Sequence, residues 1–146
     1  MCSDVHSLGL EAAQGIQLTN AFYWDHDDET RAWTKRYAAR NNGKHPNMTH
    51  AGVYSAVLHY LKAVAAANSD DGTAVVAKMK EMPTDDPLFK KGTIRPDGRK
   101  IHPMFLYEVK KPSESKGPYD YYKLIDTIPA EVAFRPMAEG KCPFVN

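Results

Sequence analysis

Apolar positions recur along this chain with two different periods. From Gly15 to Phe22, Ile16 and Leu18 share one face of an extended segment, because strand side chains alternate with period two; this predicts a buried strand over about 15–22. Thr30, Trp33 and Tyr37 then fall at i, i+3 and i+7, the spacing of one helical stripe, and predict a helix over about 27–41. Its first turn carries Asp27, Asp28 and Glu29 and its end carries Lys35, Arg36 and Arg40, which suits the positive and negative poles of the helix dipole. Asn41-Asn42-Gly43 supplies the stop. A second helix is predicted from Met48 or Thr49 to Ala67, with Val53, Val57, Tyr60, Leu61 and Val64 along a single apolar face. A third, from about Thr73 to Met82, has Asp70 and Asp71 before it and Pro83 after it.

Beyond Pro83 the period returns to two. Arg95-Pro96-Asp97-Gly98 reads as a turn joining two short strands, since Pro fixes φ and Gly admits positive φ. Ile101 to Lys110 predicts the longest strand, 112–118 an exposed loop, Tyr121 to Ile128 another strand, and 129–146 a short helix with an irregular tail. Residues 1–14 read as a tail or the end of a preceding element, and the expectation for Cys2 is a loose end. Cys2 and Cys142 are the two cysteines, and the expectation is two free thiols.

Composition narrows the function. A net charge of +1 and only short basic pairs, Lys90-Lys91 and Lys110-Lys111, exclude a large polyanion as the main partner, so no nucleic acid is expected. Tyr119, Tyr121 and Tyr122 are expected to pack half-buried and not to stack on bases. No apolar run approaches the roughly 20 residues of a membrane-spanning helix. The segment MCSDVHSLGLEAAQG lacks a basic start followed by an apolar core, so the chain as written is expected to stay in the cytoplasm.

The run from Gly9 to Ala63, GLEAAQGIQLTNAFYWDHDDETRAWTKRYAARNNGKHPNMTHAGVYSAVLHYLKA, resembles the C-terminal part of substrate-binding proteins of ABC transporters, of the branched-chain amino-acid (Leu/Ile/Val-binding) type. The resemblance continues through the hairpin Gly92 to Arg99 and Tyr119 to Leu124 as far as Cys142-Pro143. It implies an α/β fold, a partial type I periplasmic-binding-protein fold with three helices, a hairpin and a few strands. It also implies a piece of a longer, two-lobed periplasmic protein that captures an amino acid or a related acid or amide between its lobes and is recognised by an ABC permease. On that mapping 1–22 is a tail and crossing strand from the second lobe, 23–101 completes the first lobe, and 102–146 returns to the second.

The resemblance brings the residues before the second predicted helix, Asn47, Met48, Thr49 and His50, to the ligand. A helix start offers free amides to a carboxylate or carbonyl, and Asn47 or Thr49 is also the expected cap. Tyr23 and Trp24 are expected either to line the cleft or to pack on Trp33 and Tyr37. No catalytic residue is expected: Ser55 and His59 stand at i, i+4, but no acid follows to orient the imidazole. No metal or cofactor is expected either, because His50 and His59 fall on opposite sides of their helix, and the carboxylates around His26 suit a helix start. The rival reading is a remnant or excised fragment that folds, or forms a homodimer through the lobe surface it exposes, without a physiological ligand.

Overall fold

The computed structural model describes residues 2–143 and 145. The chain divides into two compact units, one built from Met1–Ala51 and Met104–Ile128, the other from Gly52–Pro103 and Pro129–Asn146. Together they make an α/β arrangement of six α-helices and six strands among the described residues, which is the expected class.

The first unit opens with α1 (Cys2–Leu8) and α2 (Leu10–Ala13), where the sequence alone suggests a tail or the end of a preceding element. Cys2, Val5 and Ala13 are buried with Tyr23, Tyr107, Val109, Tyr121 and Tyr122 in one cluster, and this burial holds the segment in place. Strand β1 (Gln17–Asn20) pairs antiparallel with β5 (Met104–Val109), which pairs with β6 (Tyr122–Ile128), in the order β1-β5-β6. As an edge strand β1 buries only Asn20, and Ile16 is exposed, so the expected buried strand is shorter and half open.

Helix α3 (Asp28–Arg40) begins at an Asp27 cap whose side chain accepts from the Thr30 amide at 2.8 Å, while the Thr30 hydroxyl accepts from the Asp27 amide. Arg31 reaches Asp25 at 2.9 Å and Asp28 at 2.6 Å. Trp33 and Thr34 are buried, and Phe22 meets the Trp33 ring edge-on.

The cluster converges on one phenol. The Tyr23 hydroxyl donates to the carbonyl of Tyr119 at 2.9 Å and accepts from the amides of Tyr121 (2.9 Å) and Tyr122 (3.3 Å). Burial pushes its pKa up, with the two amide donors opposing the shift. Tyr23 packs on Tyr107 and Tyr122, not on Trp33 and Tyr37 as the packing alternative had it, because Phe22 takes the Trp33 contact.

Helix α4 (Met48–Ala67) opens in the first unit and runs on in the second, followed by α5 (Gly72–Glu81). Asp71 caps α5 by accepting from the Ala74 amide at 2.9 Å. Strands β2 (Thr84–Asp86), β3 (Lys90–Ile94) and β4 (Lys100–Ile101) form an antiparallel meander. Its β3–β4 connection is the expected turn, with the Gly98 amide donating to the Arg95 carbonyl at 2.8 Å and Gly98 at φ +82°. The anticipated long strand 101–110 is two strands in different sheets, β4 and β5, with Pro103, which has no N–H to give a ladder, between them. The longest strand is β6. The short helix expected near the end is α6 (Ala130–Ala133). Among the described residues no helix is long and apolar enough to cross a membrane.

A polar centre ties α4 to the meander. Ser55 donates to Asp86 Oδ2 at 2.7 Å, and Lys100 Nζ donates to both Ser55 Oγ (2.7 Å) and Asp86 Oδ2 (2.9 Å). Asp86 Oδ1 accepts from the amides of Leu88 and Phe89. Burial alone would raise the Asp86 pKa. The hydrogen bonds from Ser55, the Phe89 amide and Lys100, with the Lys100 charge, outweigh it and hold the carboxyl below its usual range.

Three outcomes follow from this packing. Tyr23→Phe removes three hydrogen bonds from a buried cluster and is expected to cost about 2 kcal/mol of stability, read as a lowered thermal midpoint in circular dichroism. Gly92→Ala would drive a methyl group into the Ile101 carbonyl and to 2.9 Å from Thr84 Oγ1, so a loss of about 1–3 kcal/mol is expected in the same measurement. Because the Asp86 pKa is depressed on folding, its contribution is present above the unfolded carboxyl value, about 3.9, and is lost as pH falls through the folded value. Asp86→Asn should therefore lower stability at pH 7 and flatten its acid dependence, as seen in urea denaturation from pH 7 to 3.

Candidate functional site

A cavity of about 490 Å³ lies in the first unit, walled by α1, by Tyr37 of α3, by the start of α4 and by Tyr119. Asn47 is the cap of α4. Its side-chain oxygen accepts from the amides of Thr49 (3.0 Å) and His50 (3.3 Å), and the Asn47 amide donates to His50 Nδ1 at 3.2 Å. This reciprocal pair is the geometry of a capping box with imidazole in place of a carboxylate. It fixes the tautomer of a neutral His50, whose Nε2 then carries the hydrogen. The His50 ring lies 5.1 Å from that of Tyr37.

Tyr119 forms the opposite wall. Its ring stacks between His6 (4.7 Å, 8° between planes) and His45 (4.5 Å, 17°), and its backbone is left-handed at φ +67°, a conformation that costs a non-glycine residue roughly 1 kcal/mol or more. What holds it there is its own carbonyl, which accepts from the Tyr23 hydroxyl and from Trp24 Nε1 at 2.7 Å. His6 Nδ1 and the Tyr121 hydroxyl share a hydrogen bond of 2.6 Å. His45 is half-buried with its Nδ1 unpartnered, and burial lowers its pKa, so its ring stays neutral at pH 7.

Of the six residues expected at a ligand, Asn47 and His50 line this cavity. Met48 is half-buried and Thr49 exposed, and neither is part of its wall. Tyr23 and Trp24 are absent from the wall as well. Tyr23 is 4% exposed, and both direct their polar atoms to the Tyr119 carbonyl, so they act on the cavity through Tyr119. Sequence reasoning missed His6, Lys44, His45 and Tyr119. His6 lay in the supposed tail, and nothing in the order Gly117-Pro118-Tyr119 announces a positive φ at the tyrosine.

The chemistry available is recognition. Cys2 lies at the cavity, but burial pushes its thiol up to about 12, so it is no thiolate at neutral pH. In the second unit Ser55 gives its hydrogen to Asp86, and His59 Nε2 bonds the Met79 carbonyl at 2.9 Å; the two form no nucleophile–base pair. Among the described residues no group of three or more His, Cys, Asp or Glu is placed to hold a metal ion. What remains is a flat aromatic and imidazole wall, the Lys44 ammonium and His50 Nε2–H.

A family model described as "Periplasmic binding protein" matches residues 2–118. A periplasmic binding protein from Burkholderia mallei is 50% identical over 99% of this chain and 38% of its own, with a TM-score of 0.94. A branched chain amino acid ABC transporter periplasmic ligand-binding protein from Burkholderia xenovorans LB400 is 44% identical over 99% of this chain and 38% of its own, with a TM-score of 0.93. A solute binding protein of an ABC transporter from Rhodopseudomonas palustris BisB5, in complex with 3,4-dihydroxy benzoic acid, shares the fold at 18% identity and a TM-score of 0.72, over 87% of this chain and 34% of its own. No curated protein matches. The chain thus spans 38% of the length of each of the two Burkholderia proteins. With a family model covering most of its residues and a backbone that superposes on these structures over nearly its full length, the chain belongs to the periplasmic binding protein family, as a portion homologous to its branched-chain amino-acid-binding members.

Proposed function

We propose that this chain is the ligand-capturing portion of a solute-binding component of an ABC importer, and that the cavity between Tyr119 and the start of α4 takes part in holding a small amino acid, carboxylic acid or amide. The observation that carries this reading is the pairing of a rigid stacked wall, His6–Tyr119–His45, with a polar rim at Asn47 and His50 in a cavity of about 490 Å³. That volume is within the usual range for small-molecule sites. A carboxylate would meet Lys44 and His50 Nε2–H, and an apolar or aromatic body would lie on the stacked rings.

The wider mechanism is capture followed by lobe closure and recognition by a membrane permease, as in the two-lobed proteins of this family. No covalent step enters it. The working compartment of the full-length protein would be the periplasm. The related ligand-binding protein from Burkholderia xenovorans LB400 is described for branched chain amino acid transport, which makes leucine, isoleucine and valine the first probes, with benzoate as an aromatic acid.

Thermal unfolding with these compounds tests the reading, because a ligand that binds only the native state raises its midpoint by mass action. One of them is expected to raise the midpoint, and Tyr119→Ala is expected to weaken binding by about tenfold or more, equivalent to about 1.4 kcal/mol. A midpoint that no probe moves, or a shift that Tyr119→Ala leaves intact, would remove this cavity from the ligand site.

A further inference from the structure

A cavity of about 360 Å³ lies within the second unit, between α4, α5 and the β2-β3-β4 meander. Small residues on one face of α4 make the room. Gly52, Ser55 and Ala56, at i, i+3 and i+4, all line it, and a Cβ added at Gly52 would meet nothing within 4 Å. Met79, Phe89 and Ile94 give it apolar walls, and Lys100 and His102 share the lining with them. An ammonium has three N–H donors. Two of those on Lys100 go to Ser55 Oγ and Asp86 Oδ2, and Nζ sits 4.8 Å from the centre of the Phe89 ring. His102 Nδ1 meets the Pro103 carbonyl at 2.8 Å, which makes Nδ1 the donor and leaves Nε2 an acceptor. Burial lowers the His102 pKa against the opposing effect of that bond, so the ring is neutral at pH 7. His59 and Thr84 also line the cavity, and His59 Nδ1 and Thr84 Oγ1 are buried with no hydrogen-bond partner among the described residues.

We propose that this cavity is a separate binding site for a neutral, mainly apolar molecule that carries one hydroxyl group, of the phenol class. The hydroxyl oxygen accepts from the third N–H of Lys100 and gives its own hydrogen to His102 Nε2, while the ring lies against Phe89, Ile94 and the Met79 thioether. Neutrality follows from the charges already present. Asp86 is paired with Lys100 at 2.9 Å, so an entering anion meets the carboxylate and an entering cation meets the ammonium. Packing alone does not account for such a wall, because close-packed interiors fill space of this size with side chains and rarely leave buried polar atoms unpaired. The volume is within the usual range for small-molecule sites. The inference is independent of the ligand proposal above, since the two cavities belong to different units and share no residue.

The probe is p-cresol, with toluene as the same ring and methyl group without the hydroxyl. Isothermal titration calorimetry of this chain is expected to give saturable binding of p-cresol, about tenfold tighter than toluene, the reverse of the order that apolar transfer alone produces. The methyl resonance of Met79, identified by its loss in Met79→Leu, is expected to move on binding. His102→Phe keeps an aromatic ring beside Phe89 but offers no acceptor, so about a tenfold loss is expected for p-cresol and none for toluene; should it fail to fold, His102→Asn takes its place. Ala56→Phe fills the space beside α4 and is expected to abolish binding, with Ala56→Leu as its milder substitute, while Tyr119→Ala in the other unit leaves binding intact. No saturable binding, an unmoved Met79 methyl, equal affinity for p-cresol and toluene, or binding that Tyr119→Ala removes and Ala56→Phe spares would each overturn the inference. None of these outcomes bears on the leucine and benzoate measurements at the first cavity.

Discussion

The phenolic oxygen of Tyr23 gathers three backbone groups from a loop almost a hundred residues away in sequence, the carbonyl of Tyr119 and the amides of Tyr121 and Tyr122. Without these bonds the buried turn into β6 would present polar backbone to a cluster of aromatic side chains, where an unpaired group costs more than a paired one returns. The same oxygen therefore sets two things. It fixes where β6 enters the sheet beside β5, and it holds Tyr119 in its left-handed conformation with the ring between two imidazoles. Trp24 adds a second donor to the same carbonyl. The arrangement joins two segments far apart in the chain: Tyr23 and Trp24 supply the restraint, and Tyr119 presents its ring to the cavity.

Much of the fold was legible because its signals are local. The caps at Asp27 and Asp71, the Asn-Asn-Gly stop, and the Pro-Asp-Gly turn are satisfied by neighbours within a few residues. The three long helices accordingly fall within a residue or two of their expected bounds. What the sequence concealed depends on distant partners. Residues 2–13 have too little periodicity to declare themselves, and they are helical because Cys2, Val5 and Ala13 enter the tyrosine cluster. Helix α4 is a subtler case. Its apolar stripe was visible, but the side that packs is the ridge of Ser55, His59 and Ala63, where Ser55 bonds the buried Asp86 carboxylate and its Lys100 partner.

The candidate site divides in the same way. Asn47 and His50 could be found because a helix start is a local motif with an anion-friendly end. The stacked wall opposite them could not, since it joins an imidazole from α1, another just before Pro46, and a tyrosine from a loop after Pro118. Two imidazoles flanking a phenol make a flat, polarizable surface, with the Lys44 ammonium at the cavity's edge.

The two thiols illustrate how unequal a pair of like residues becomes once the chain has folded. Cys2 is 6% exposed and its pKa is pushed up to about 12 by burial, while Cys142 is only partly covered and lines a separate surface pocket of the second unit. An alkylating reagent at neutral pH meets a native protein with one effective attachment point, and a second becomes available only when the tyrosine cluster opens. The chain carries, without any engineering, a built-in handle for a fluorophore on one unit and a concealed reporter of unfolding in the other.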